Sequence, residues 1–280
     1  MSAPARLAGF AAGLAALFGA SVAVGSAVDA GAPARGDAEP KAEHGGEMAG
    51  GAMEESSAPA GLAVAEGGLR LEPATTTFQP RRTGTYAFRI SGARGATVRD
   101  FDVEHTKRMH LIAVRRDLTG FQHLHPRQGA DGSWRTPLRL AEPGSYRVFA
   151  DFSAKGERRT LATDLTVPGD QRPQPLPAPS SSARAGDLDV RLGGDDEHLD
   201  FQVQRGGRPV AVQEYLGADG HLVALREGDL AFLHVHPEES SGTGEVKFSA
   251  HFPSPGRYRL FLQVQVGGKV KTAAFTKEVR

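Results

Sequence analysis

The sequence predicts an all-β chain: two β-sandwiches in tandem, behind an N-terminal apolar helix and a disordered linker. Three observations predict it. Short runs alternate apolar and polar residues, with Gly, Pro or Asp turns at close intervals. No stretch keeps a convincing helical period. The pattern then occurs twice, in a chain whose 280 residues hold about two ordinary domains.

Residues 1–28 read as a signal peptide or N-terminal membrane anchor. Arg6 precedes an apolar run from Leu7 to Val28, rich in Ala, Gly, Leu, Val and Phe. Gly25, Ser26 and Ala27 suit signal-peptidase cleavage, and a run of roughly 20 residues also suffices to span a bilayer uncleaved. The expected location is extracytoplasmic, either secreted or anchored to the cell membrane by this helix. Residues 29–61 form an Ala/Gly/Glu-rich linker with almost no large apolar side chain, too polar to offset chain entropy by burial. Within it His44, Met48 and Met53 lie among Glu43, Glu47, Glu54 and Glu55, a composition that fits either a plain tether or a flexible metal-capture arm.

Residues 62–168 form the first repeat. Its strands begin with Leu69–Leu71, Tyr86–Ile90 and Val98–Val103, and close with Tyr146–Phe152 and Leu161–Val167. A Pro-rich spacer, 169–185, is stiff enough to hold two modules apart. Residues 186–280 repeat the pattern. Glu142-Pro143-Gly144-Ser145-Tyr146 is echoed by Ser254-Pro255-Gly256-Arg257-Tyr258, a Pro-Gly turn leading into a strand. Seven or eight strands in about 100 residues is the density of an immunoglobulin-like sandwich, and the cupredoxin-like sandwich is its near relative.

Composition narrows the function. The formal net charge is zero, so nothing favours nucleic acid or an anionic membrane surface. The chain has no cysteine, which excludes disulfides, thiolate metal sites and a blue-copper centre. No Gly-x-Ser-x-Gly, phosphate loop or His-Glu-x-x-His is present, so no enzyme is expected. Trp134 reads as a packing residue, and Arg115-Arg116 as a solvated pair.

One motif occurs in both repeats. His110-Leu111-Ile112-Ala113-Val114-Arg115 leads to Phe121-Gln122-His123-Leu124-His125-Pro126. His221-Leu222-Val223-Ala224-Leu225-Arg226 leads to Phe232-Leu233-His234-Val235-His236-Pro237. Six of the ten histidines therefore sit in matched places. Each copy reads as a hairpin, with Asp117–Gly120 or Gly228–Ala231 as the turn. Centred on these turns, Val114 faces His123, Ile112 faces His125, and His110 lies one step beyond on the same side. The same construction puts His221 beside His236. A slip of one residue sends the lone His to the other face.

Two readings follow. Three neutral imidazoles without a thiolate suit Cu(II) or Zn(II), with ligands His110, His123 and His125 in one site and His221, His234 and His236 in another. Met109 adds a soft donor to the first copy, where the second has Gly220, and His105 is a spare ligand. Asp102, Glu104, Glu214 and Asp219 are candidate outer carboxylates. Alternatively the histidines are structural, hydrogen-bonded to backbone, and the His-Pro ends blunt a strand edge. No organic cofactor is expected. The partners are then a metal ion or an envelope protein, with the membrane reached only through the N-terminal segment.

The first motif together with Tyr146–Phe152, and the second from Tyr215 to Thr276, resemble a family of uncharacterised actinobacterial exported or membrane-anchored tandem β-sandwich proteins. The resemblance spans residues 62–280. Similar His-Leu and His-x-His-Pro modules accompany heavy-metal and copper-handling proteins, so the resemblance implies non-enzymatic metal buffering or delivery in the cell envelope. The alternative it leaves is an envelope adhesion or scaffold protein. Members often carry a His-rich segment before the first sandwich, and here that segment holds His44 alone.

Overall fold

The computed structural model describes residues 59–238 and 244–280. The expected anchor, the capture-arm residues and the side chains of His234 and His236 lie outside that description.

The regular structure of the described residues is β-strand, apart from one short 3-10 turn at Ala93–Gly95. The first repeat runs β1 (Ala65–Glu66), β2 (Leu69–Pro73), β3 (Thr83–Ser91), β4 (His110–Arg115), β5 (Gln122–Leu124), β6 (Arg127–Gln128), β7 (Trp134–Arg139), β8 (Gly144–Ala154) and β9 (Glu157–Val167). The second runs β10 (Ser182–Ala185), β11 (Leu188–Gly194), β12 (His198–Arg205), β13 (Arg208–Pro209), β14 (His221–Arg226), β15 (Phe232–Pro237), β16 (Glu245–Ser249), β17 (Gly256–Val266) and β18 (Lys269–Val279). The last four residues of the expected spacer thus belong to a strand, because Gly186 at φ +66° turns them back onto β11.

In the first repeat the sheet β1-β2-β3-β7-β6 packs on the sheet β5-β4-β8-β9. Tyr86, Phe88, Ile90 and Leu138 of one meet Leu111, Val148, Ala150 and Leu161 of the other in a single core. This is the immunoglobulin-like arrangement, and a tyrosine corner completes it in each copy. Tyr146 Oη donates to the Glu142 carbonyl at 2.9 Å, and Tyr258 Oη donates to the Ser254 carbonyl at 2.9 Å. The two Pro-Gly-x-Tyr sequences therefore do more than turn the chain; each ties its turn to the strand that follows.

In the second repeat one strand passes between sheets. β15 pairs with β14 through Phe232–Val235 and with β16 through His236 and Pro237. The first repeat divides the same passage into β5 and β6, with Pro126 buried between them. The His-x-His-Pro motif marks the place where the chain changes sheets.

β4 is buried along its whole length. Leu111 and Ala113 face the sandwich core, while Ile112 and Val114 face outward into a third cluster. That cluster joins the repeats: Ile112, Val114, Leu118 and Phe149 of the first pack with Val223, Leu225, Phe232 and Phe261 of the second. The spacer does not hold the modules apart. Leu176 packs against the shared cluster, and Arg115, buried rather than solvated, ties the spacer to the first turn through Asp117 and the Arg172 carbonyl.

The seam has pseudo-twofold symmetry. Phe121 stacks on Phe261 with ring centroids 4.1 Å apart, and Phe149 meets Phe232 at 5.3 Å. Phe121 and Phe232 are matched positions, as are Phe149 and Phe261, so each contact exchanges the roles of the copies, as in an isologous interface. The segment entering the first sandwich threads this seam. Phe232 N donates to the Ala60 carbonyl, Gly61 N donates to Thr160 O, and the Arg147 guanidinium holds the Gly61 and Leu62 carbonyls. Gly61 has φ +74°, and a Cβ there would lie 2.7 Å from Phe232 Cβ and 2.8 Å from the Phe149 ring.

Candidate metal centre

The histidines lie on the seam side of β4, β5 and β14. In the first hairpin Ile112 pairs with His123 and Leu111 with Leu124, so the expected facing of Val114 with His123 is wrong by two residues. An even slip keeps every side chain on its face, because strand side chains alternate with period two. His110, His123 and His125 still share a side. In the second hairpin Leu222 pairs with Val235 and Val223 with His234, so His221 and His236 each stand one residue beyond the last pair, where β15 crosses to β16.

One ring nitrogen from each of His110, His123 and His125 falls within 4.8 Å of the others. The ring centroids are 5.1 Å apart for His110 and His125, 5.3 Å for His110 and His123, and 4.8 Å for His123 and His125. Rings bound to one tetrahedral ion at 2.0–2.1 Å metal–nitrogen distance have centroids about 5.2 Å apart. The triplet's centroids have that spacing, while its nitrogens, within 4.8 Å of one another, would close to about 3.3 Å around such an ion.

The outer nitrogens are held from behind. His110 Nε2 lies 3.1 Å from the Glu104 carbonyl, which can only accept, so Nε2 carries the proton and Nδ1 the lone pair. His123 Nδ1 lies 2.7 Å from Gln263 Oε1, across the seam, while Gln263 Nε2 lies 3.3 Å from Thr272 Oγ1. The inner nitrogens, His110 Nδ1 and His123 Nε2, face each other at 3.1 Å, and the His123 tautomer and Gln263 amide orientation decide whether one donates to the other or both present lone pairs. His125 Nε2 is buried with no hydrogen-bond partner. Burial, then the like charges of His110 and His125, push the His123 imidazole well below its ordinary range. Burial, followed by His110 and Lys107, pulls His125 down to about 4. At neutral pH both rings are neutral and their lone pairs are available.

The second copy repeats the anchor. His221 Nε2 lies 2.7 Å from the Tyr215 carbonyl, as His110 Nε2 lies against Glu104, six residues upstream in each case. The copies are not separate patches: the His221 ring is 6.1 Å from His123 and 5.3 Å from His105.

Several expected participants fall elsewhere. Met109 is buried in the core of the first sandwich, on the opposite face from His110, and is not a seam donor. The Asp102 carboxylate binds Ser153 and Gly156 N, and the Glu104 carboxylate binds Arg158; Glu104 serves the site through its carbonyl instead. Glu214 is exposed. Trp134 is buried, edge-on to Phe101. Two participants escaped the sequence reading. Gln263 supports His123, and buried Asp151 lies opposite His110 on β8, held by Thr160 Oγ1 at 2.8 Å. The available signal for each was a polar residue directly after an apolar run, Val148–Ala150 before Asp151 and Leu260–Leu262 before Gln263.

A family model described as a domain of unknown function (DUF8832) matches the chain twice, over residues 64–169 and 186–280. No curated protein matches. Among solved structures, the Escherichia coli adhesin FdeC is 13% identical over 78% of this chain and 66% of its own, at a TM-score of 0.29. A Salmonella alpha-2-macroglobulin is 16% identical over 79% and 15%, at 0.29. Yersinia pseudotuberculosis InvD is 11% identical over 76% and 57%, at 0.26. The chain spans less than two thirds of each of these three proteins.

Proposed function

We propose that this chain, which belongs to the DUF8832 family through both of its repeats, is an exported, non-enzymatic protein that binds Cu(II) or Zn(II) at His110, His123 and His125 for buffering or delivery in the cell envelope. One observation carries the reading: three imidazoles converge with ring centroids at the spacing of a common ion, two with their outer nitrogens against side-chain or backbone oxygens and the third with a buried, unpartnered Nε2. Metal-ligating histidines are held in this way, the far N–H donated to a carbonyl or amide that fixes ring and tautomer. The internal duplication extends the donor set to His221, His234 and His236.

Calorimetric titration of the purified full-length protein with Cu(II) and Zn(II) tests it. The native chain is expected to bind, and His125→Ala to lose at least about tenfold in affinity, as removal of a ligand does. His198→Ala, on an exposed histidine, is expected to change nothing. Equal affinity in native protein and a His123→Ala/His125→Ala double variant would sink the assignment.

The carbonyl caps on His110 and His221 support a second reading. In it the rings brace the turns and the sandwiches present their surfaces to an envelope partner, as an adhesion or scaffold module. The same variants then lower the melting temperature while metal affinity stays absent throughout.

A further inference from the structure

The five described histidines of the seam sort into two groups by distance. His110, His123 and His125 lie 4.8–5.3 Å apart by ring centroid. His105 and His221 are likewise 5.3 Å apart, with rings at 90°. Between the groups the separations are longer, 6.1 Å from His123 to His221 and 6.3 Å from His105 to His110. Rings sharing one tetrahedral ion have centroids about 5.2 Å apart, so both groups meet that spacing and the links between them do not.

From this division we infer a second metal position beside the first, in which His221 of the second repeat is joined by His105 of the first, making the seam a two-ion chamber with ligands crossing between repeats. The inference rests on the metal-binding reading above. Three further observations support it. His221 is anchored by the same Nε2-to-carbonyl bond as His110, so it is oriented by the same device that orients a ligand of the first position. The β14–β15 register pairs His234 with Val223, two residues from His221, and leaves His221 and His236 each one residue past the last pair, on the pattern of the first hairpin. Finally, His105 has φ +46°, a left-handed conformation that costs a histidine about 1 kcal/mol or more. The second repeat makes the same turn with Leu216 at φ +56°, so the backbone there does not demand histidine. The histidine at this turn is thus set by its side chain and not by the backbone, and its ring reaches His221 of the other repeat.

The crossing has a chemical consequence. Gln263 of the second repeat holds His123 of the first, and His105 of the first meets His221 of the second. The first position, whose three ligands all belong to the first repeat, is braced by the second, and the second position draws ligands from both; each suits borderline divalent ions that accept all-nitrogen donors.

Cu(II) titration of the full-length protein followed by electron paramagnetic resonance tests the inference. The native chain is expected to take two Cu(II), with dipolar broadening and a half-field signal appearing as the second equivalent binds. His105→Leu, which installs the residue that the other repeat carries at this turn, is expected to weaken the second equivalent at least tenfold and restore an isolated-copper spectrum. His125→Ala is expected to weaken the first position and leave the second. Circular dichroism melting of each variant verifies that it is folded. One Cu(II) per chain, or two that His105→Leu leaves unchanged, overturns the shared chamber while the His110/His123/His125 site stands. No Cu(II) bound by the native chain overturns both.

Discussion

The two repeats agree in frame and differ at particular contacts, and the side of the strand on which a difference falls decides its meaning. Both keep the tyrosine corner, the carbonyl-anchored histidine and the left-handed turn leucine, Leu118 at φ +64° and Leu230 at φ +63°. On the core side, Met109 stands where the second copy has Gly220. A Cβ at Gly220 would lie 2.9 Å from Val246 Cγ1, so this exchange is one of packing volume and not of ligand chemistry. On the seam side, Asp151 is matched by Gln263 and His105 by Leu216, judged by pairing with His110 and His221 and by the equivalent turns. Those exchanges touch the other repeat. Duplication conserved what each sandwich needs alone, and divergence at the pseudo-axis made the junction asymmetric.

The largest way to break the comparison is at the strand entering the seam. Gly61→Ala is expected to destabilise by about 2–4 kcal/mol, from the left-handed backbone and the clash with Phe232 and Phe149. Because Gly61 bonds to the first repeat and its neighbour Ala60 to the second, the variant is also expected to split a single calorimetric transition into two. Each repeat would then show its own stability, and one unshifted transition would show that the segment is not what couples them.

A finer test compares the corners. Tyr146→Phe and Tyr258→Phe are each expected to cost about 1 kcal/mol in denaturant unfolding, the net worth of one hydrogen bond. Losses that differ by more than about that amount would show that the two corners are not equivalent.

A further test is a slope with pH. His125 is lowered to about 4 from an ordinary 6.5, so in metal-free protein the unfolded chain takes up its proton before the folded one. Above pH 6.5 the group contributes no pH dependence. Between 6.5 and about 4 stability falls as pH falls, and below that the loss is complete. His125→Gln is expected to flatten this limb, and an unchanged limb would move its origin elsewhere in the seam.

Much of this architecture was legible in the residues. Alternation located strands at Leu69–Leu71, Tyr86–Ile90, Tyr146–Phe152 and Leu161–Val167 but also placed one at Val98–Val103, where the chain has none, and the Pro-Gly-x-Tyr echo located the corners. The histidines' common face survived a wrong hairpin register because the error was even. What escaped was long-range. His110–Arg115 is apolar on both faces, the pattern of a strand covered twice, yet nothing local says that the second cover is the other repeat. Reading the spacer as a spring that separates modules followed from its proline content alone; Leu176 and the Arg172 carbonyl instead adhere to the folded surface. Arg115 looked solvated because its partners, Asp117 and the spacer backbone, come together only after folding. Met109 looked like a donor because adjacency in sequence says nothing about which side of a strand a residue faces.

The glycine at the seam also links two opening events. Since Ala60 hydrogen-bonds to one repeat and Gly61 to the other, adjacent peptide units bridge the halves, and slow hydrogen exchange at the Gly61 and Phe232 amides is the expected sign that the two repeats open together.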